Sequence, residues 1–116
     1  MLSFQKLDVY QCAIAFLALS IDMPADLPRG HSALVDQLRR AALSVPLNIA
    51  EAAGRVTEAD VARHYGIARG SAMECAAIVD VLQVLSAIDG HRHTAGLGLL
   101  ERVVSMLTKL ARVQAG

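Results

Sequence analysis

A chain of 116 residues that balances eleven Lys/Arg against eleven Asp/Glu has no excess charge with which to neutralise nucleic-acid phosphates. Its length allows one domain with a single core. With 54% hydrophobic but only 3% aromatic residues, that core is built from Ala, Leu, Val and Ile, a composition that favours close-packed helices over sheets.

The apolar share is high for a lone domain and points to further surface buried between subunits. Cys12 and Cys75 form no CxxC or metal spacing and read as buried, reduced thiols. The opening MLSFQKLDVYQ lacks a basic leader ahead of an apolar run, so no signal peptide is expected. No segment reaches the ~18 uncharged apolar residues of a membrane span. A cytoplasmic protein without cofactor or metal is the expectation.

In chain order, the first helix is expected over residues 4–21, with Ser3 as N-cap and Leu7, Tyr10, Ile14, Leu17 and Ile21 as its seam. Asp22 to Gly30 carries two prolines and a glycine and reads as a crossing loop. The second helix, 31–53, turns Leu34, Leu38, Ala41, Ala42, Val45, Ile49 and Ala52 inward, and Pro46 inside it predicts a kink. Gly54 ends that helix, and Thr57 to Asp60 reads as a capping box that opens the third, 58–88. So short a connection folds helices two and three into an antiparallel hairpin.

The seam of the third helix is Val61, Tyr65, Ala68, Ala72, Cys75, Val79 and Leu82. Gly66 and Gly70 each cost about 1 kcal/mol against Ala there, which predicts a close backbone approach in compensation. Asp89-Gly90 ends the helix, a polar loop runs through His93, and a fourth helix at 95–113 turns Leu100, Val103, Leu107 and Leu110 inward. No stretch alternates with period two for long enough to form a strand. The fold class is all-α, with four helices.

Two polar knots interrupt this apolar pattern. Arg40, Ser44, Asn48, Glu51 and Arg55 recur at steps of four, four, three and four, one stripe of a helix. Arg69, Ser71 and Glu74 form the second knot on the next helix. Folding the hairpin near Val56 places residue 51 near 61, 48 near 64, 44 near 68 or 69, and Arg39 and Arg40 near 73. Charged groups inside a bundle require partners, so Arg40–Glu74 is the predicted pair. Ser44 is expected beside Arg69 or Ser71, and Glu51 within reach of Arg55 and Arg63.

Gln37-Leu-Arg39-Arg40-Ala-Ala, Ser44-Val-Pro-Leu-Asn48-Ile-Ala-Glu51, Gly54-Arg55 and Ile67-Ala-Arg69-Gly-Ser71-Ala-Met-Glu74 together resemble the signature of the four-helix-bundle proteins encoded in 23S rRNA intervening sequences. The opening Phe4 to Ala13 and the closing Met106 to Leu110 also fit. The resemblance implies a left-handed up-down bundle assembled into a homopentameric ring. It also implies kinship with the accessory variability protein of diversity-generating retroelements, a basic bundle that binds nucleic acid and a reverse transcriptase. The chain departs from that relative in its balanced charge and in Ala52, where the family usually carries glycine.

No catalytic residue is expected. Ser71 lies mid-helix outside any nucleophile-elbow pattern, and neither knot sets a histidine beside a nucleophile. No Glu-x-x-His motif is present for a di-iron site. His91 and His93 lack a third ligand, and His64 is expected to make a surface contact with Asp60.

The residues of both knots, with Arg39, therefore read as a structural polar lock, and the protein as an oligomeric scaffold that docks a partner protein. The alternative is an RNA- or DNA-binding accessory protein. Its contacts would be Arg29, Arg39, Arg55 and Arg63, repeated around a ring. Balanced charge and the lack of aromatic stacking platforms oppose it.

Overall fold

The computed structural model describes residues 1–23 and 27–115. It contains α1 (Asp8–Ile21), α2 (Arg29–Ala53), α3 (Glu58–Val84) and α4 (Gly90–Ala115), preceded by a short 3-10 turn at Ser3–Lys6, and no strand among the described residues. Each helix packs on the next and α4 closes back on α1, whereas the diagonal pairs α1–α3 and α2–α4 do not meet among the described residues. A 25-residue helix such as α2 is about 38 Å long, which sets the 45 Å long dimension of the molecule.

The seams of α2, α3 and α4 lie where the hydrophobic spacing puts them. Leu38, Ala42, Val45, Ile49 and Ala52 are buried on α2, Tyr65, Ala68, Ala72, Cys75, Val79 and Leu82 on α3, and Leu100, Val103 and Leu107 on α4. Leu34, Val61 and Leu110 pack against this core from its edge.

The face of α1 departs from expectation. Val9, Cys12, Ala13, Phe16 and Ser20 point inward, while Ile14 is 40% and Ile21 61% exposed. Between Asp8 and Asp22 the helix has no charged residue, so apolar side chains fall at helical spacing on more than one line and periodicity cannot choose between them. The choice is made by shape. The Phe16 ring lies against Gly96 of α4, where an added Cβ would come within 3.3 Å of Phe16 Cε1 and 3.4 Å of Leu19 Cδ2. Close approach therefore occurs at Gly96 and not at Gly66 or Gly70, beside which a Cβ would meet nothing within 4 Å.

Helix ends differ as well. Ser3 caps nothing; the Leu2 N–H donates to Gln5 Oε1 at 2.8 Å, and α-helix begins only at Asp8. Helix α2 starts at Arg29, directly after Pro28, two residues earlier than expected, and runs unbroken through the buried Pro46. Thr57 caps α3 as its sequence suggests, accepting from the Asp60 N–H at 3.2 Å.

Helix α3 stops at Val84, four residues before Ile88. Ser86, at φ 56°, is left-handed; its N–H bonds Gln83 O at 2.9 Å, and the Ala87 N–H bonds Leu82 O at 2.8 Å. That is a Schellman closure with serine where glycine is preferred. Asp89-Gly90, expected to end α3, instead opens α4. The Asp89 carboxylate accepts the Arg92 N–H at 2.7 Å, so the segment through His93 is the first turn of a helix. Sequence reading gave this stop to Gly90 because glycine is the usual left-handed residue.

Replacing Ser86 with glycine relieves a left-handed Cβ without touching a buried contact, since Ser86 is exposed. Ser86→Gly is expected to raise the unfolding free energy by roughly 0.5–1 kcal/mol, allowing for the greater freedom glycine gives the unfolded chain. Urea titrations with an unchanged m-value test this.

Candidate functional site

The Arg39–Arg55 stretch, from α2 into the turn that follows it, divides between two neighbouring helices. On the α3 side, Asn48 Nδ2 donates to Ser44 O at 2.9 Å and to Ser44 Oγ at 3.1 Å, which leaves Asn48 Oδ1 as an acceptor. His64 of α3 lies 2.9 Å from that oxygen through Nδ1. An acceptor there assigns the proton to Nδ1, so Nε2 accepts from Arg63 Nη2 at 3.1 Å. Ser71 Oγ donates to Ser44 Oγ at 2.9 Å. A continuous chain, Ser71–Ser44–Asn48–His64–Arg63, thus crosses the α2–α3 seam.

His64 is 7% exposed. It was expected at the surface beside Asp60. Instead Arg63 takes Asp60, at 3.6 Å, and the imidazole turns inward to Asn48. The hairpin register that set 48 near 64 carried the signal for this contact. No buried side-chain nitrogen or oxygen among the described residues lacks a partner. Each buried side-chain atom of the network thus has at least one partner, and both histidine nitrogens are occupied.

On the other flank, Arg39 reaches α1 rather than α3. Its Nε donates to Ser20 O at 3.2 Å, and its Nη2 to Ile21 O at 3.3 Å and Met23 O at 3.2 Å. Ser20 and Ile21 close the C-terminal end of α1 and Met23 lies just beyond it, where helix polarity favours a cation; Ser20 O also accepts the Met23 N–H at 3.4 Å. Asp36 lies 3.9 Å from Arg39 Nη1.

Arg40 and Glu74, the predicted pair, are both exposed and do not bond one another. The physical reason is angular. Ser44 is the stripe residue that faces α3, and Arg40 one turn earlier has rotated onto the outer surface.

The remaining stripe residues are held locally or by α4. Glu51 and Arg55 pair with one another at 2.7 Å across one exposed turn. Arg69 donates from Nε to Thr108 Oγ1 of α4 at 2.8 Å, and Thr108 in turn donates to Val104 O at 2.8 Å; Ser44 meets only Ser71 of the two candidates. The side chain of Arg29 lies outside the described residues.

At the opposite end, Asp89 binds Arg92 Nη1 at 3.0 Å, and Arg92 also approaches Asp22 at the end of α1, at 3.8 Å. His93 is hydrogen-bonded to Asp80 at 2.8 Å and His91 is exposed. Among the described residues no group of three or more His, Cys, Asp or Glu is placed to hold a metal ion. Burial pushes the Cys75 thiol up to about 12, with the neighbouring Glu74 adding to the shift, so it is an inert core group. No helix among the described residues is long and apolar enough to cross a membrane.

Arg39 carries the greatest consequence of these contacts. Arg39→Met is expected to cost about 2–3 kcal/mol by leaving helix-end carbonyls without their charged donor, and Arg39→Lys to recover only part, because an ammonium lacks the fork. Chemical unfolding of both variants measures the difference.

At Asp89 the hydrogen bond from the Arg92 backbone N–H is the main force holding the carboxyl below its ordinary value. A carboxyl lowered on folding stabilises the fold above its ordinary range, and that contribution disappears as pH falls through the lowered value. The gap in urea midpoint between the native chain and Asp89→Ala should thus be widest near neutrality and narrow as pH falls through and below the ordinary carboxylate range.

Comparison with curated proteins finds no match. A family model described as 23S rRNA-intervening sequence protein matches residues 5–109, which take in the whole of the polar network and its anchor on α1. The chain belongs to the 23S rRNA-intervening sequence protein family.

Proposed function

We propose that this protein is a non-enzymatic, cytoplasmic scaffold or adaptor. In this reading it is an antiparallel, left-handed up-down bundle assembled into a homopentameric ring that docks a partner protein. The 44–71 and 48–64 contacts beside the short 54–57 connection support the antiparallel path. Ring assembly is what the family resemblance implies. The observation that carries the scaffold reading is the inversion of polarity on the outer faces. Apart from Arg40, the polar stripe is engaged by contacts within the chain, while Leu43, Leu47, Ile67, Met73, Val81 and Val84 stand exposed on α2 and α3. Apolar side chains on adjoining helix faces mark surfaces that other molecules cover.

The alternative, nucleic-acid binding through Arg29, Arg39, Arg55 and Arg63, loses support from the same contacts. Arg39 serves helix carbonyls and an aspartate, Arg55 serves Glu51, and Arg63 serves His64 and Asp60. Guanidinium groups neutralised this way offer phosphates little. Sedimentation velocity at micromolar protein, with and without a labelled RNA duplex in low salt, tests both readings. The expected result is one protein boundary heavier than the monomer and an RNA boundary that does not move. A monomer would overturn the ring. Salt-sensitive co-sedimentation of the RNA would replace the scaffold with the alternative.

A further inference from the structure

Two outer surfaces left unused by the contacts above are complementary to each other. On α2, Arg40, Leu43 and Leu47 stand at i, i+3 and i+7, a single exposed stripe, with Leu43 46% and Leu47 54% exposed. Arg40 has no hydrogen-bond or ion-pair partner among the described residues. Between α3 and α4 runs an open groove walled by Met73, Ala76, Leu97, Leu100 and Val104, with Glu101 set in its wall. Glu101 is exposed and lacks an ion-pair partner among the described residues. Gly70 lies a turn before Met73, with no atom within 4 Å of where its Cβ would stand. A second helix can come close there.

We propose that the α2 stripe of one copy seats in the α3–α4 groove of the next, Leu43 and Leu47 entering the apolar channel and Arg40 pairing with Glu101. The inference rests on the self-association proposed above and supplies its interface. A second copy is the favoured occupant because the chain itself carries both halves, one cationic and apolar, the other acidic and apolar. Joining them gives each uncommitted charge its counter-ion and removes exposed leucine from water. Met73 is a pliable wall residue suited to fitting a leucine pair. Stripe and groove are different surfaces, so the contact is head-to-tail. Every copy offers its stripe to one neighbour and its groove to another, an arrangement that forms a ring where the rotation between copies closes, as the proposed assembly requires, and not an isologous two-fold dimer.

The test is charge reversal read by mass photometry and sedimentation. Arg40→Glu and Glu101→Arg each place like charges in the contact and should weaken association by roughly tenfold or more. The double variant should restore it. Both sites are exposed, and helical content by circular dichroism verifies that the variants remain folded. Glu74→Arg, which reverses an acid outside the groove, should leave assembly intact. Single variants that assemble like the native chain, or a double variant that fails to recover, overturn this interface while self-association stands. Disruption by Glu74→Arg moves the contact to the α2–α3 face and overturns it as well. A native chain that is monomeric overturns both readings.

Discussion

The register between α2 and α3 depends on one hydrogen-bonded chain, Ser71–Ser44–Asn48–His64–Arg63. The apolar residues along that seam are Ala42, Val45, Ile49 and Ala52 against Tyr65, Ala68, Ala72 and Cys75. Half of these side chains are alanine, so the apolar surface discriminates only weakly between neighbouring registers. A slip by a turn would cost the polar contacts more, because a buried imidazole and a half-buried carboxamide would lose their partners together. The polar chain is therefore what makes one packing of an Ala-rich seam better than its neighbours. Pro46 sits between Ser44 and Asn48, where α2 loses one backbone donor. Asn48 reinforces the helix at this point by bonding Ser44 O with its side chain.

A second constraint attaches α1, the shortest helix and one with no charged residue between its ends. Greasy packing alone would let such a helix rotate or slide, since it is apolar on all sides. Two arginines remove that freedom from its C-terminal end. Arg39 of α2 closes the last carbonyls, and Arg92 of α4 approaches Asp22 just beyond them. Phe16 fixes rotation by lying against Gly96, the one glycine among the described residues at which an added Cβ would press on a neighbouring helix's side chains. Rotation and axial position are thus set by separate, named contacts.

How much of this was legible in the sequence follows from what each signal measures. Helix number and three of the four seams were readable, because charged and apolar residues alternate there with helical period. The face of α1 was not, because a helix without charges carries no period to read. The end of α3 was missed at Ser86, a residue type that rarely adopts the left-handed conformation. Asp89, read as a stop, proved to be a start, since an aspartate before a glycine suits either. The polar stripe was found, but its partners were only half assigned. Ser44 and Asn48 meet α3 as the hairpin register requires, whereas Arg39 and Arg40, one turn away, have rotated off that face. His64 was undervalued because a histidine near an aspartate at helical spacing looks solvated until the register brings Asn48 to it.

These contacts also explain how a chain with zero net charge and many arginines distributes them. Arg39 serves a helix end and Asp36, Arg55 serves Glu51 from just past the end of α2, Arg63 serves an acid on its own helix, Arg69 serves a hydroxyl, and Arg92 holds an N-cap. Charge balance here is not a diffuse property of composition. Part of it rests on local commitments, and other charged residues, among them Glu58, Glu74, Arg102 and Lys109, stand outside them. Arg40 and Glu101 are two such residues, and both adjoin exposed aliphatic side chains on outer helix faces. In a monomer, a large apolar surface beside an unmatched charge is a liability for solubility. In an assembly it is the ordinary anatomy of an interface, with apolar anchors at the centre and a charged pair fixing their orientation. In the proposed assembly these faces are the surfaces that copies present to one another, and the Ser71–Ser44–Asn48–His64 contacts hold the helices that carry them in register.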